Sequence, residues 1–340
     1  MVGHGLVANV CILTFNGIGN ILGVLPILSA IQRTSPLTKI FLPRPVSQYA
    51  RSAYDLCPSL TAVSFYPTDW YKLTPDGWGE FRDFLFSNNI SVILNWRNDG
   101  YLYKAAFNVF REYIERQTSI VIHDVSDLGE ECLRETSIWE QLLAVTRRWI
   151  PITLTPRPPR PGPIDPRIHV LPFASRKSKR LSPQFWIAVV QQILRQQSRF
   201  NVSLHEPLDD DAMWNTLSRH DVCKTPRVRL SAPHKGLPQL RNSLDDAICC
   251  LNLDSYPMHL AAYLGIPHVT CFVATDPRVW SHRDSTVPVG RPNLSCANWR
   301  WFSGNCMSYY FRCSSDCEPN EETLARHTAA AAIEVCNSRN

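Results

Sequence analysis

Asp246-Ala-Ile-Cys-Cys-Leu-Asn-Leu-Asp254-Ser255-Tyr256-Pro257-Met258-His259-Leu-Ala-Ala-Tyr-Leu-Gly265-Ile-Pro267 decides the fold. Ala247–Leu253 is a short, almost wholly apolar run of strand length, which suits a strand buried on both faces. Asp254 ends it. Ser255 is a favourable N-cap residue and Pro257 suits a first helical turn. Gly265 can close the helix in a left-handed conformation, and Pro267 opens the next strand, His268–Val273. A helix that starts at the carboxyl end of a strand directs unpaired N–H groups and a positive dipole end outward. That is a ready diphosphate site. The plain alternative is one more capped helix of an α/β domain, and from the physics alone the two are evenly matched.

The same alternation extends in both directions. Downstream of mid-chain, strands are predicted at Ile168–Phe173, Asn201–His205 and Arg227–Leu230. Helices are predicted at Ser182–Arg195, Asp209–Leu217, Gly236–Ser243, Pro257–Leu264 and, Ala-rich, Glu321–Val335. Upstream, Val10–Phe15, Lys39–Leu42, Ser91–Trp96 and Ser119–His123 read as strands. Ile21–Arg33, Phe81–Ser87, Leu102–Ile114 and Cys132–Arg148 read as helices. Such alternation implies mostly parallel sheets covered on both faces. Between the halves lies a stretch from Pro151 to Pro166 too rich in proline for helix or central strand. It is expected to be a semi-rigid linker. The chain is thus divided into an N-terminal domain (1–150), the linker (151–166), a C-terminal domain (167–318) and a final helix (319–340). Two doubly wound, Rossmann-like domains are expected to face each other across a cleft, with ligands at the carboxyl ends of the strands.

Bulk properties narrow the function. The 340 residues favour two cores over one. A net charge of +5 and a pI near 8.6 are too mild for a nucleic-acid binder. The densest basic cluster, Arg176, Lys177, Lys179 and Arg180, suits a small polyanion such as a diphosphate. From Gly5 to Gln32 there is no charged residue, yet Asn16, Gly17, Gly19, Asn20, Gly23 and Pro26 interrupt the run. A buried strand, Gly turn and buried helix are therefore expected, rather than a signal peptide or membrane span. The location expected is cytoplasmic, with the inner face of a membrane as the alternative should the uncharged face of Ile21–Ile31 prove exposed. Twelve cysteines with no export signal are expected as thiols or metal ligands. Cys11, Cys249, Cys250 and Cys271, set in apolar runs, read as small core residues.

Four motifs together resemble the heptosyltransferase family (glycosyltransferase family 9, GT-B fold). The Asp254–Pro267 run is similar to its Asp-Ser/Thr-x-x-(Met/Ser)-His-Leu-Ala-Ala-x-Leu-Gly-x-Pro signature. Phe272-Val-Ala-Thr275-Asp276-Pro277-x-x-Trp280 resembles its Phe-Gly-x-Thr-Asp-Pro-x-x-Trp stretch. Ser175-Arg-Lys-Ser-Lys179-Arg-Leu-Ser-Pro183-Gln-Phe-Trp186 is similar to its Ser-x-x-x-Lys-x-Trp-Pro-x-x-x-Trp element. Thr14 to Pro26 resembles its N-terminal Gly-(Asp/Asn) loop and helix. The resemblance spans residue 10 to about 335 and implies a sugar transfer from a nucleotide-diphosphate donor, possibly of heptose, to a glycan, protein or small-molecule acceptor. It implies that the Ser255–His259 turn, with Tyr256 and Met258, binds the diphosphate, together with Ser175. Asp254 is implied to approach donor-sugar hydroxyls and Lys179 to neutralise the leaving phosphate. A fixed cation and a helix N-terminus supply the electrostatics that a metal provides elsewhere, so no catalytic cofactor is expected. Glu206, at the end of Asn201–His205, is a candidate nucleoside contact, or an ordinary loop carboxylate. Asn16, Gly17, Gly19 and Asn20 are placed on the acceptor side.

Two features depart from the pattern. Asn20 stands where many members carry an aspartate proposed as general base, and an amide cannot take that proton. Asp99 and Asp124, each following a strand, are the candidate substitutes. The alternatives are proton transfer to the leaving phosphate, or a catalytically inactive protein that binds a nucleotide sugar or acts as a scaffold. Leu181-Ser182 replaces Trp-Pro and moves the helix cap to Ser182–Pro183. Finally, Cys296, Cys306, Cys313 and Cys317 lie close together in a loop-like stretch. They suit a structural zinc or iron as well as they suit free thiols, with disulfides as the further alternative should the protein meet oxidant.

Overall fold

The computed structural model describes residues 8–14, 17–67, 75–97, 100–129, 136–154, 165–174, 179–207, 210–273, 275, 277–282, 284–290 and 320–338. The chain divides into two compact units, Met1–Pro156 and Arg157–Asn340.

The N-terminal unit holds strands β1 (Asn9–Leu13), β2 (Lys39–Pro43), β3 (Val63–Tyr66), β4 (Ile90–Asn95) and β5 (Val121–Asp124). All pairings are parallel, in the order β3-β2-β1-β4-β5. Helices α1 (Ile18–Thr34), α2 (Gln48–Arg51), α3 (Pro75–Ser87), α4 (Gly100–Gln117) and α5 (Ile138–Trp149) connect them. Alternate residues of each strand enter opposite cores, as the two-residue side-chain period requires. Val10 and Ile12 join α1 and α5 residues such as Leu28, Ile31 and Leu142 on one face. Cys11 and Leu13 join Phe81, Leu85, Phe107 and Ile114 of α3 and α4 on the other. The sheet is therefore buried on both faces. Gly23 explains how α5 reaches α1: a Cβ there would lie 2.1 Å from the Trp139 ring.

Helix α1 begins three residues earlier than the sequence suggests. Gly17 takes the N-cap position with extended backbone, so Gly19 and Asn20 lie in the first turn and not in a glycine loop. The residues from Ile21 to Gln32 are buried apart from partly buried Pro26, including Ile21, Leu25, Leu28 and Ile31. The uncharged face is core, and the membrane-face alternative loses its motive. Among the described residues, no helix is long and apolar enough to cross a membrane. Helix α5 starts at Ile138 with a capping box between Ser137 and Glu140, and the expected start at Cys132 lies outside the described residues. Strand β3 is an addition to the sequence-based expectation.

The C-terminal unit holds β6 (Arg167–Leu171), β7 (Asn201–His205), β8 (Val228–Ser231), β9 (Ala247–Leu253), β10 (His268–Phe272) and β11 (Thr286–Gly290). Its order is β11-β10-β9-β6-β7-β8, again parallel. The helices are α6 (Pro183–Gln196), α7 (Asp211–Arg219), α8 (Leu237–Ser243), α9 (Tyr256–Leu264), α10 (Pro277–Trp280) and α11 (Glu321–Asn337). One face buries Ile168, Val170, Val202, Leu251 and Val269 under α6 and α11. Cys249, Cys271 and Cys336 belong to this core. All seven cysteines among the described residues are buried free thiols. The other face is unusually polar for an interior: His169, Ser203, His205, Asn252, His268 and Thr270 are fully buried there. The alternation places them opposite the apolar set.

Candidate active site

In each sheet the chain winds outward in one direction and then returns to the centre to wind in the other. The reversal falls between β1 and β4 in the first sheet and between β6 and β9 in the second. Crevices at the carboxyl ends of such adjacent strands are where open α/β sheets bind ligands. The segments named from the sequence fall at these points. Gly17–Asn20 follow β1. Lys179 follows β6, and Asp254 ends β9, the parallel neighbour of β6.

The second reversal holds a built cluster. Lys179 Nζ donates to the Asp254 carboxylate at 2.7 Å and to the Asp254 backbone carbonyl at 3.0 Å. The two side chains are 16% and 3% exposed, so the pair is shielded from water. The Thr275 hydroxyl donates to the same carboxylate oxygen. Asp254 is thereby fixed from two sides and in turn holds the ammonium at the edge of the sheet. Arg180 is committed elsewhere, to the Ala174 carbonyl at 2.7 Å and to Asp210 at 2.8 Å. Ser182 caps α6 through Phe185 N–H at 3.2 Å, as the Leu181-Ser182 departure requires.

Helix α9 starts beside this cluster. Ser255 occupies its N-cap position, but its side chain makes no capping hydrogen bond, contrary to its expected capping role. No acidic residue lies in the first turn either. The positive end is therefore not neutralised by its own helix. Tyr256 stacks on Phe173, with ring centroids 5.8 Å apart at 28°. Met258 is fully buried, and Gly265 closes the helix at φ 69°. His259 is buried and pairs with His282 at 2.8 Å. Burial, then the Lys179 charge, pushes the His259 imidazole down to about 3, so it is neutral near pH 7.

Glu206 follows β7, and its N–H donates to the Ser231 carbonyl at 3.1 Å. Burial and then the Asp211 charge raise its carboxyl above the ordinary range. In the N-terminal unit, Asn20 is partly buried, and a Cβ on Gly17 would come 3.7 Å from its amide nitrogen. Asp124 is buried; its carboxylate accepts from Asn95 Nδ2 at 3.0 Å and from Ser126 N–H at 2.7 Å. It caps the turn that follows β5. Asn16, Asp99, Ser175, Asp276, Cys296, Cys306, Cys313 and Cys317 lie outside the described residues. Among the described residues no group of three or more His, Cys, Asp or Glu side chains is placed to hold a metal ion.

The fold, two α/β units each built on a doubly wound parallel sheet, is that of the GT-B class. A family model described as glycosyltransferase family 9 (heptosyltransferase) matches residues 110–298, more than half of the chain. The chain belongs to that family. No curated protein sequence matches it. Among solved structures, a glycosyltransferase family 9 protein from Veillonella parvula DSM 2008 is similar with a TM-score of 0.66 at 10% identity, over 98% of both chains. The E. coli heptosyltransferase WaaC with ADP gives 0.59 at 15% identity, over 98% of this chain and 100% of that one. The dodecameric iron-containing heptosyltransferase TibC of E. coli, in complex with ADP-D-beta-D-heptose, gives 0.54 at 13%, over 98% and 76%.

Proposed function

We propose that this glycosyltransferase moves a heptose from a nucleoside-diphosphate donor to a hydroxyl of a glycan, protein or small molecule. The observation that carries this is Lys179, held on Asp254 beside the uncapped N-terminus of α9. During transfer the bond from the anomeric carbon to the diphosphate oxygen breaks, and the acceptor oxygen bonds to that carbon. Negative charge then gathers on the departing diphosphate. A fixed ammonium and helix N–H groups stabilise that charge without reorganising. Asp254, Ser255, Tyr256, Met258, His259 and Ser175 form the donor site in this account, with Asp254 also reaching sugar hydroxyls. Glu206 lies towards the nucleoside. The acceptor binds by Asn16, Gly17, Gly19 and Asn20, and its proton passes to Asp99 or Asp124. No cofactor enters the step. Four thiolates from Cys296, Cys306, Cys313 and Cys317 fill the shell of a zinc or iron ion, so a metal there is structural. The reduced thiols of the core suit a cytoplasmic setting.

ADP-heptose is the first donor to test, because the solved structures of WaaC and TibC hold ADP and ADP-heptose. Incubated with donor and acceptor, the protein is expected to release nucleoside diphosphate and to yield a product heavier by one sugar, read by mass spectrometry. Full turnover in Asp124→Asn takes Asp124 out of the mechanism. Asn20 motivates one other reading, an inactive nucleotide-sugar binder. Binding of a donor without release of nucleoside diphosphate, whatever the acceptor, decides for it.

A further inference from the structure

Four side chains far apart in sequence form one hydrogen-bonded line across the C-terminal sheet. His169 Nε2 meets Asp246 Oδ1 at 2.8 Å, and His169 Nδ1 meets His205 Nε2 at 2.8 Å. His205 Nδ1 meets His234 Nε2 at 3.1 Å. Asp246 precedes β9 at the amino edge of the sheet. His169 sits in the middle of β6, His205 ends β7, and His234 follows β8 at the carboxyl edge. His169 and His205 are completely buried.

The chemistry of the ends fixes every proton on the line. Asp246 also accepts from Arg229 at 2.9 Å and lies 3.6 Å from Arg167, so it is a carboxylate and can only accept. His169 Nε2 must therefore carry hydrogen. A neutral ring then leaves Nδ1 as an acceptor, so His205 Nε2 donates to it. By the same step His205 Nδ1 accepts, and His234 Nε2 donates. Burial lowers the basicity of all three rings, which keeps them neutral near pH 7. The far end gives the same answer independently. The Ser243 hydroxyl spends its proton on the Leu240 carbonyl at 2.7 Å, so towards His234 Nε2, 3.4 Å away, it can only accept.

His234 is thus left with Nδ1 as a bare acceptor, and among the described residues nothing donates to it. It lies in the loop after Ser231, whose carbonyl pairs with the Glu206 N–H. We propose that the line from Asp246 to His234 is a tautomer lock, and that the Nδ1 lone pair it presents accepts an N–H of the donor's nucleobase. This rests on the donor-site assignment above and adds the base-recognising residue to it. His169 and His205 are positioning residues that act through His234.

The test compares wild type with His234→Phe, a change at a half-buried loop position, using calorimetric titration with inorganic pyrophosphate, ADP, GDP, CDP and UDP. Pyrophosphate should bind both proteins equally. The preferred nucleoside diphosphate should bind the variant about ten-fold more weakly, the loss expected for one hydrogen bond with a desolvated partner. The 2′-deoxy form of that nucleotide should show the same loss. Equal affinity of the two proteins for the preferred nucleotide overturns the inference, as does a loss that vanishes with the deoxy form. Failure of pyrophosphate itself to bind refutes the donor site instead. Independently of any ligand, two-bond 1H–15N spectra of histidine-labelled wild type should show His169, His205 and His234 all protonated at Nε2. Protonation of His234 at Nδ1 overturns the lock.

Discussion

Lys179→Gln is expected to lower turnover about a hundred-fold or more while donor affinity falls far less. Loss of one preorganised electrostatic partner of a developing anion is worth roughly two to three orders of magnitude. Glutamine is the informative replacement. Asp254 is nearly fully buried, and deleting its cation outright leaves a shielded carboxylate with Thr275 as its remaining donor in the cluster. Breaking a buried pair in that way costs about 3–5 kcal/mol and confuses folding with catalysis. Glutamine, one atom shorter than lysine, keeps an N–H donor on that side chain and removes the charge. Rates should be taken well below the melting temperature of the variant, with that temperature recorded. A fall confined to kcat assigns Lys179 to the leaving group, since the interaction strengthens only as charge develops. Turnover within two-fold of wild type removes Lys179 from the chemistry.

The second large effect is on stability in acid. His259 is pushed down to about 3 by burial and the Lys179 charge, and His268 to about 4 by burial alone. His282 and His205 are also held well below the ordinary imidazole value, again chiefly by burial. These rings are neutral in the folded chain, whereas the unfolded chain protonates them near pH 6.5. Below that pH the unfolded state binds more protons, so stability is complete above about 6.5 and falls as pH drops. The fall continues until the folded rings titrate, near 4 for His268 and near 3 for His259. At about 1.4 kcal/mol per unit, His268 alone accounts for roughly 3 kcal/mol. Against a typical total of about 5–15 kcal/mol, several such rings should unfold the protein before their own folded values are reached. Urea midpoints measured from pH 7.5 down to 4.5 should decline steeply below 6.5. His268→Gln should flatten the decline. A midpoint independent of pH over that range contradicts the burial of neutral rings.

Much of this architecture could be read from the chain, because its signals are local. Strand Ala247–Leu253 and helix α9 follow from one apolar run, a proline and a glycine. Edge strands were harder. Val63–Tyr66 is four residues long, and Thr286–Gly290 contains Pro288, so neither carries a strong pattern. The start of α1 is hidden because Gly17-Ile-Gly19 looks like a turn, whereas Gly17 is the N-cap of a helix that runs from Ile18. The site was legible as a set of residues but not as a network. Lys179 and Asp254 were each singled out, yet their pairing joins positions 75 residues apart and depends on the β6–β9 neighbourhood. Nothing local announces Thr275 as a partner of Asp254, or links His169, His205, His234 and Asp246. Those contacts exist only once the strand order is set.

The central claim is that the C-terminal unit holds a diphosphate between Lys179 and the start of α9. Melting of the wild type and of Lys179→Gln, with and without ADP, GDP, CDP and UDP, tests it most directly, since a ligand of the native state alone raises the transition. At least one nucleoside diphosphate should raise the wild-type transition by several degrees and the variant's by less, because the free diphosphate already bears the charge that the donor gains only as the sugar leaves. No shift with any of the four at millimolar concentration, or an equal shift in the variant, contradicts it.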